Sequence, residues 1–565
     1  MKGEEKMGYS YWNGAETAHR RVMMKAAGYS DDDIRNKPHI GVPNSYMSGS
    51  PGTAHLRQVT EAVKEGIWAA GGIPVEFGIP ATCGNVANGA DEMKYEQVGR
   101  DIVAMSIEFV SRVHNFDAIC CVATCDLILA GCYLAACRMD IPALVVTGGS
   151  MQAGNYCGKT VVEADLDSAR FSGASEEELM AMEDSVCPSY GACPSMGTAN
   201  TMQMLGEVLN LVMPGTSTIP ASDNARIRAA RAAGKYVVKL AKSGRTPKDI
   251  ITRDVLENAI MFDMAVAGST NAVLHILSYA YELGIELTLD DFDKFAKEIY
   301  CINAVIPSGP YTVVDFHYAG GVKNVMKQLE SKLHLDAPTI YGNTWKDILD
   351  TVKGEANDVI HSLEDPVSKQ PGLKILKGNI SPCGAIVRPT AVFEDVMYIK
   401  GKAKVYEGDK PAYDAIMAGE IVPGDIIVIR YEGCKGAPGM KELMLSIDAL
   451  IAKDLHKSVG LITDARFSGF NYGAIVGHVS PEAYDGGVIA LIENGDEIEM
   501  DIAGGTVNLL VSDEELAERR KNWKQPPLKQ EKGVLNIYAK NCRPAEQGGA
   551  MQPWDLSADY NYHHI

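Results

Sequence analysis

The feature that most constrains the fold is an alternation of strand and helix patterns between residues 38 and 147. Segments rich in β-branched residues alternate with segments whose apolar residues recur at helical spacing. The predicted elements, in chain order, are a strand within 38–48, a helix that begins near His55, a strand in "IPVEFGI", a helix over about 95–114, a strand over Ala118–Ala123, a helix to about Met139 and a strand in "IPALVVTGG". This alternation predicts a parallel sheet with helices on its faces.

From about Gly372 the pattern changes. The segments "GEIVPGDIIVIRYEG" and "GDEIEMDIAGGTVNLLV" predict short strands joined by tight turns, and long helical patterns become rare until "SDEELAERRKNW". A chain of 565 residues is expected to form more than one domain. The polar stretch 362–379, which carries two prolines, is the predicted boundary. We therefore predict an α/β domain over 1–370 and a mostly β, barrel-like domain over 371–565.

Charge and hydropathy exclude several classes of protein. A net charge of −20 argues against binding to nucleic acid, because nothing would neutralise the phosphates. The first residues lack the apolar core of a secretory signal, and Asp126 interrupts the most apolar window, Ala118–Cys137, so we expect a cytoplasmic protein without a membrane partner. The thirteen cysteines are an odd number in such a protein, and most are expected to be small core residues and not disulfide partners.

Three cysteines stand apart because they lie in predicted loops. Cys125 follows a buried strand directly, Cys83 lies in the loop after another strand, and Cys193 lies in a loop rich in glycine, serine and proline that opens a helix. Ligands in open α/β sheets bind beyond the carboxyl ends of strands, and thiolates hold iron–sulfur clusters. Three thiolates would leave one iron of a four-iron cluster open as a Lewis acid. Since no compact Cys-x-x-Cys motif is present, three unrelated buried thiols remain the alternative.

Two carboxylates and a serine are further candidates. Asp126 stands between apolar segments, where a carboxylate is costly to bury unless it is paired or binds a metal, so metal binding and a helix N-cap both stay open. Glu442 ends a glycine-rich loop, and Ser468 lies in a polar turn between two predicted strands. A serine in such a turn is either a positioned base or nucleophile, or an ordinary turn residue.

Several longer segments resemble the family of dihydroxy-acid and phosphogluconate dehydratases, which also holds sugar-acid dehydratases. They are "TCD", "RMDIPALVVTGGSMQAG", "GACPSMGTANTM", "AGSTNAVLH", "HYAGGV", "PGDIIVIRYEG", "GAPGMKE" and "TDARFSGFNYGAIVGHVSPEA", in this order along nearly the whole chain. The resemblance implies an N-terminal α/β domain, a C-terminal β-barrel-like domain, and a dimer or a dimer of dimers. It also implies removal of water from a 2,3-dihydroxy acid to give a 2-keto acid. In the family an iron–sulfur cluster binds the leaving hydroxyl and a magnesium ion holds the carboxylate end.

The resemblance assigns roles to five residues. Cys125 and Cys193 match two cluster ligands, Asp126 and Glu442 match magnesium ligands, and Ser468 matches the serine that takes the C2 proton. An alkoxide is a reasonable base there, because nearby positive charge lowers the pKa of a hydroxyl.

The chain departs from the family pattern at three positions. Leu127 stands where the family has a magnesium-binding lysine, Gly84 where it has an acidic ligand, and Gly52 where two-iron members have a cysteine. Asp91 or Glu92 could still supply a carboxylate if the alignment slips in this loop. The expectation is therefore a rebuilt site. Cys83, Cys125 and Cys193 would hold a cluster, with [4Fe–4S] favoured over [2Fe–2S], and magnesium would be weakened or absent.

Three functions follow as alternatives. The favoured one is a hydro-lyase that acts on a small hydroxylated carboxylic acid, either a sugar acid or a 2,3-dihydroxy acid. An orthodox branched-chain dihydroxy-acid dehydratase is a narrower version, and a non-catalytic, cluster-carrying sensor or partner protein is the alternative from another class. A homodimer or homotetramer is expected in each case.

Overall fold

The computed structural model describes residues 9–469 and 471–552, with side chains from residue 11 onwards. Residues 1–8, 470 and 553–565 lie outside this description, and with them the outer ends of both predicted domains. Among the described helices, none combines the length and the apolar character needed to cross a membrane.

The N-terminal region contains a four-stranded parallel sheet, which confirms the α/β prediction. Its strands are β1 (His39–Asn44), β2 (Ile73–Gly78), β3 (Ala118–Ala123) and β4 (Ala143–Thr147), in the spatial order β2-β1-β3-β4. Alternate residues of β3 pack into two different apolar clusters, one on each face of the sheet. Burial on both faces explains why this strand is a continuous apolar run in the sequence. A short hairpin of β5 (Gly154–Tyr156) and β6 (Lys159–Val161) follows the sheet.

Helices cover the sheet and continue well beyond it. One face packs against α4 and α10, and the other against α5 and α6. The described helices of this region are α1 (Tyr9–Trp12), α2 (Ala18–Ala26), α3 (Asp31–Asn36), α4 (Leu56–Ala69), α5 (Tyr95–His114), α6 (Asp126–Met139), α7 (Glu163–Phe171), α8 (Glu176–Val186), α9 (Thr198–Val208), α10 (Asn224–Ser243), α11 (Pro247–Ile250), α12 (Arg253–Val266), α13 (Asn271–Leu283), α14 (Leu289–Ala296), α15 (Val313–Tyr318), α16 (Gly321–Gln328) and α17 (Trp345–Leu349).

The C-terminal region is built on an eight-stranded sheet that nearly closes on itself, as the barrel-like prediction requires. Its strands are β7 (Lys374–Leu376), β8 (Gly384–Val387), β9 (Tyr398–Tyr406), β10 (Ile426–Ile429), β11 (Gly460–Thr463), β12 (Ala474–Ser480), β13 (Glu497–Asp501) and β14 (Thr506–Leu509), in the spatial order β14-β13-β9-β10-β11-β12-β8-β7. Backbone pairing between Lys377 and Thr506 joins the two edges. A barrel-like arrangement is thereby confirmed.

Two helices between the strands correct the prediction that helical patterns become rare until the segment "SDEELAERRKNW". They are α18 (Asp409–Ala418) and α19 (Leu445–Ala452), followed by α20 (Asp513–Asn522) and α21 (Val534–Asn541). Strands β9, β10 and β11 are parallel, so each connection must return to the starting edge, and α18 and α19 lie in these crossovers. The sequence of α19, "LSIDALIA", is apolar on almost every side, so it shows no helical period.

The two regions meet at the carboxyl ends of β2 and β3. The loop after β2 lies against the C-terminal region, where the Leu445 side chain faces Gly89. The Thr270 hydroxyl donates a hydrogen bond to the backbone oxygen of Phe467. The backbone just before the predicted domain boundary still pairs with the N-terminal region, because Ser368 forms an isolated β-bridge with Cys301. The boundary at residue 370 stays a prediction.

Candidate active site

A cavity of about 260 Å³ lies at this junction. Four of the residues singled out in the sequence line it, namely Asp126, Cys193, Glu442 and Ser468. Asp126, the first residue of α6, and Cys193, in the loop before α9, belong to the N-terminal region, and the other two belong to the C-terminal region. The structure thus brings together residues that are up to 342 positions apart in the chain, because they lie where the two regions touch.

Cys125 has a backbone conformation that a cysteine rarely adopts. Its φ of 73° and ψ of 163° fall in a region populated almost only by glycine. It occupies the step between β3, which ends at Ala123, and α6, which begins at Asp126. Such strain costs of order 1–3 kcal/mol and persists at functional sites where the surrounding structure enforces it. This conformation is a feature of the chain that the sequence could not reveal.

The other two thiols lie in neighbouring loops. Cys83 precedes a single 3₁₀ turn at Gly84–Ala87, and Cys193 lies in the loop before α9. The Asn85 side-chain amide donates to the Cys193 sulfur over 3.4 Å, which connects the two loops. Seven of the thirteen cysteines are buried and two are exposed, whereas Cys83, Cys125 and Cys193 are three of the four that are half-buried. Of these three residues Cys193 lines the cavity, whereas Cys83 and Cys125 are not among its lining residues. We call the three together the thiol side of the cavity.

Electrostatics link the three thiols. The pKa of Cys83 is raised to about 11, mainly by burial and then by the negative charges of Asp126 and Glu96. Burial, followed by the charge of Cys83, raises the pKa of Cys125 well above its ordinary value. Cys193 is shifted in the same direction by burial and then by Glu163. The charged groups with the largest effect on these thiols are therefore anionic, which disfavours thiolates unless a positively charged group is bound.

Position 52 has no room for a side chain. A Cβ placed on Gly52 would lie 2.1 Å from the sulfur of Cys125. A cysteine at this position would therefore require the Cys125 side chain to move. In this chain the candidate third thiol comes from Cys83, on a different loop.

Glu442 is held by a buried cation. Arg466, with no exposed surface, donates through Nη1 to Oε2 of Glu442 and through Nε to the backbone oxygen of Met440 at 2.9 Å. The Asn271 side-chain amide also donates to Oε2 of Glu442, at 3.2 Å. The Glu442 carboxylate is thus oriented by two donors before any ligand is considered.

Glu96, on the first turn of α5, is a site residue that the sequence analysis missed. Its Oε2 lies 3.8 Å from Nη2 of Arg466, and its side chain is buried. Asp91 and Glu92, the two alternative carboxylates, are instead exposed, and Asp91 pairs with Lys94. In sequence Glu96 is an ordinary charged residue of a helix, and its burial appears only in the structure. Asp126 and Glu442 line the cavity, and Arg466 connects Glu442 to Glu96. We call these four residues the carboxylate side of the cavity.

The carboxylate side carries more negative charge than Arg466 neutralises. The pKa of Asp126 is raised to about 7, mainly by burial and then by the charge of Glu442. Burial raises the pKa of Glu96 to about 8, with the charge of Asp126 as the next cause. Arg466 lowers both values but does not outweigh burial. Acids with pKa values near neutrality in a shared cavity are typical of functional sites.

Glu163 is a second acid that the sequence analysis did not identify. It begins α7 and lines the cavity, and the Ser195 hydroxyl donates to its Oε1 over 3.3 Å. Burial raises its pKa, while hydrogen bonds from Cys193 and Ser195 lower it. Glu163 therefore orients the loop that carries Cys193.

The turn that carries Ser468 is fixed from two directions. Arg388, which is fully buried, donates to the backbone oxygen of Gly469, and Thr270 donates to that of Phe467. A second Arg388 nitrogen, Nη2, donates to the Ser308 hydroxyl at 2.7 Å. The half-buried Ser468 side chain is thereby held at the cavity wall by groups from both regions of the molecule.

The residues of the thiol side fit an iron–sulfur cluster in kind. Thiolates are the ligands of such clusters, and binding removes the thiol proton, which offsets the raised pKa values. The fit to magnesium is poor. Leu127 is buried and carries no donor, Gly84 has no side chain, and Arg466 already occupies an oxygen of Glu442. Within 9–469 and 471–552, no three His, Cys, Asp or Glu side chains are arranged to hold a single metal ion.

Comparison with known proteins shows similarity over almost the whole chain. Residues 37–348 match the family model described as dihydroxy-acid/6-phosphogluconate dehydratase N-terminal, and residues 358–549 match the corresponding C-terminal model. A dihydroxy-acid dehydratase of Caldanaerobacter subterraneus subsp. tengcongensis is 42% identical over 95% of this chain and 98% of its own length. The dihydroxy-acid dehydratases of Ignicoccus hospitalis and Methanococcus aeolicus are 42% and 41% identical, each over 95% of this chain and 98% of their own.

These matches cover both regions that form the cavity, and they confirm the resemblance seen in the separate motifs. The expected class of enzyme, a hydro-lyase, is confirmed with them. The chain belongs to the dihydroxy-acid/6-phosphogluconate dehydratase family.

Proposed function

We propose that the chain dehydrates a small hydroxylated carboxylic acid to a 2-keto acid, with an iron–sulfur cluster held by Cys83, Cys125 and Cys193. The observation that carries the proposal is that Cys193, Asp126 and Ser468 line one cavity of about 260 Å³. This volume suits a small organic acid. A protein freed from catalysis would have no physical need to keep a base, thiols and oriented carboxylates around one cavity, which argues against a purely structural or sensing role.

The reaction is divided between the two sides of the cavity. The Ser468 oxygen takes the proton from C2 of the substrate, and its turn is held rigid by Arg388 and Thr270, so the base stays in place during the reaction. A cluster bound on the thiol side would supply a Lewis acid for the hydroxyl that leaves C3. The proton and the hydroxide depart together as water, and the resulting enol becomes the 2-keto acid. No oxidant or reductant is consumed.

The substrate class is a narrower proposal. The name of the relatives favours a 2,3-dihydroxy acid, and Leu166 and Met444 give the cavity apolar lining against which a short alkyl group could pack. The side-chain amides of Asn85, Asn88 and Asn200 also line it and could bind further hydroxyl groups. Sugar acids therefore stay in the panel of candidates beside branched-chain dihydroxy acids.

The test is an anaerobic assay of a substrate panel. Protein purified without oxygen is incubated with 2,3-dihydroxy acids and sugar acids, and release of 2-keto acid is measured as its hydrazone. We expect turnover of at least one acid, lost in Ser468→Ala and kept in Ser458→Ala, which alters another half-buried serine that does not line the cavity. A fully loaded cluster with no turnover of any acid in the panel would favour the non-catalytic alternative.

Self-association is a separate part of the proposal. Met105, Phe109 and Val113 recur every four residues on α5 and are 40%, 70% and 61% exposed. A stripe of this kind is typical of a contact surface. We propose that it pairs with a second copy of the chain to form the expected homodimer. Light scattering should show a dimer that Phe109→Glu converts to monomer, whereas Val422→Glu, at an exposed apolar residue of the other region, leaves it intact.

A further inference from the structure

The residues of the carboxylate side differ from the magnesium ligands that the family resemblance implies. Two features of the structure account for the difference. The first is at position 84, where the resemblance implies an acidic ligand and this chain has glycine. The space next to Gly84 is filled by another side chain. A Cβ placed on Gly84 would lie 2.7 Å from the carboxylate carbon of Glu96 and 2.8 Å from each of its oxygens. The carboxylate of Glu96 therefore occupies the volume into which a side chain at position 84 would project.

The second feature is the position of Arg466. Its guanidinium has no exposed surface and stands between two acids, with Nη1 bonded to Glu442 and Nη2 3.8 Å from Glu96. Nη2 makes no hydrogen bond to any described residue. A guanidinium is always charged and is the cation best suited to a buried pair with carboxylates. It occupies Oε2 of Glu442, one of the two oxygens that this carboxylate could offer to a metal ion.

We propose that the Glu442–Arg466–Glu96 group replaces a divalent metal ion in this chain, with Arg466 as the resident cation and Glu96 as the carboxylate that fills the place of residue 84. Glu96 is supplied by helix α5 and not by the loop after β2. Leu127 is buried at the start of α6 and stands where the resemblance implies a magnesium-binding lysine, so it offers no ligand atom there. The inference rests on the site of the proposed function but on no particular substrate, and its tests use none.

The first test measures binding of a divalent cation directly. Manganese(II) is titrated into chelator-treated, cluster-loaded protein, and free Mn²⁺ is counted from its electron paramagnetic resonance signal. We expect the same free Mn²⁺ for the wild type and for Asp126→Asn, so that any weak binding lies elsewhere on this acidic chain. One equivalent that binds to the wild type, is displaced by magnesium and is lost in Asp126→Asn would overturn the proposal.

The second test asks whether Glu96 fills the space of residue 84. Gly84→Ala adds only a Cβ, and we expect it to lower the melting temperature in the wild type and in Glu96→Gln, whose amide has the size of the carboxylate. In the Glu96→Ala background the same change should cost little, because the colliding group is gone. Equal losses in all three backgrounds would contradict the placement of Glu96. If Glu96→Ala does not fold, the manganese titration of the wild type still decides the proposal.

Failure of these tests and failure of the proposed function are distinguishable. A chain that binds manganese at Asp126 and turns over a dihydroxy acid would retain the function and lose the inference. A chain that passes both tests but turns over no acid would retain the inference and lose the function.

Discussion

The thiol side and the carboxylate side of the cavity balance negative charge in different ways. On the thiol side, the charged groups that most strongly raise the pKa values are carboxylates and the other thiols, so thiolates there need a positively charged group from outside the chain. On the carboxylate side, Arg466 is built into the site and already bonded to Glu442. The comparison suggests that one half of the site depends on a bound cofactor while the other has an internal cation. Variants on the two sides should therefore fail in different ways.

The largest effect is expected on the thiol side from Cys83→Ser. A serine is a poor substitute for a thiolate that holds iron, so the cluster and the activity that depends on it should both be lost. Iron content and the visible absorption of anaerobic protein measure this. Cys383→Ser, at the remaining half-buried cysteine, serves as the matched control and should leave both unchanged. Full iron content in Cys83→Ser would mean that Cys83 is a packed thiol and that the cluster has other ligands.

Ser468→Ala should separate the chemistry from the cluster. Loss of a positioned base costs about 10²–10⁴-fold in rate, and the side chain has no assigned contact with iron. We therefore expect kcat to fall by that factor while the cluster spectrum stays as in the wild type. Near-normal activity on a confirmed substrate would place the base elsewhere.

On the carboxylate side, Arg466→Gln should act mainly on stability. It removes one partner of a buried ion pair and leaves Glu442 uncompensated, which costs about 3–5 kcal/mol in the free energy of unfolding. The double variant Arg466→Gln/Glu442→Gln should recover part of this loss, because no charge is then left unpaired. Denaturant unfolding measures both, and a single variant as stable as the wild type would show that Arg466 is not the cation of the site.

A smaller effect, dependent on pH, is expected from Glu96→Gln. Folding raises the pKa of Glu96 from 4.5 to about 8, so the folded state binds more protons than the unfolded state between these values. The contribution of Glu96 to stability is then complete below pH 4.5 and is lost as the pH rises towards 8. The melting temperature of Glu96→Gln should fall less than that of the wild type between pH 6 and pH 8. Glu92→Gln, at an exposed acid nearby, should change the free energy of unfolding by less than about 0.5 kcal/mol.

Much of the fold could be predicted from the sequence, because strands and helices with clearly buried faces leave clear patterns of apolar residues. Strand β3 was predicted with its observed bounds, since both faces are buried and every residue is apolar. Helix α5 was predicted over its observed range for the same kind of reason. Helix α19 was missed because apolar residues surround it and no period remains.

The candidate site was only partly predictable. The loops of Cys125 and Cys193 were found because ligands gather where strands end and helices begin. Glu96 and Arg466 were missed because they are ordinary charged residues in the sequence. They become candidates only because the fold places them in contact although they are 370 positions apart. The strained backbone of Cys125 likewise appears only in three dimensions.

The most direct test of the account is a crystal structure of the anaerobic, cluster-loaded protein with anomalous scattering measured at the iron edge. We predict iron bonded to the sulfurs of Cys83, Cys125 and Cys193, and the Arg466 guanidinium between Glu442 and Glu96 with no metal ion at Asp126. Iron held by Cys125 and Cys193 without Cys83, or a divalent cation bound between Asp126 and Glu442, would contradict it.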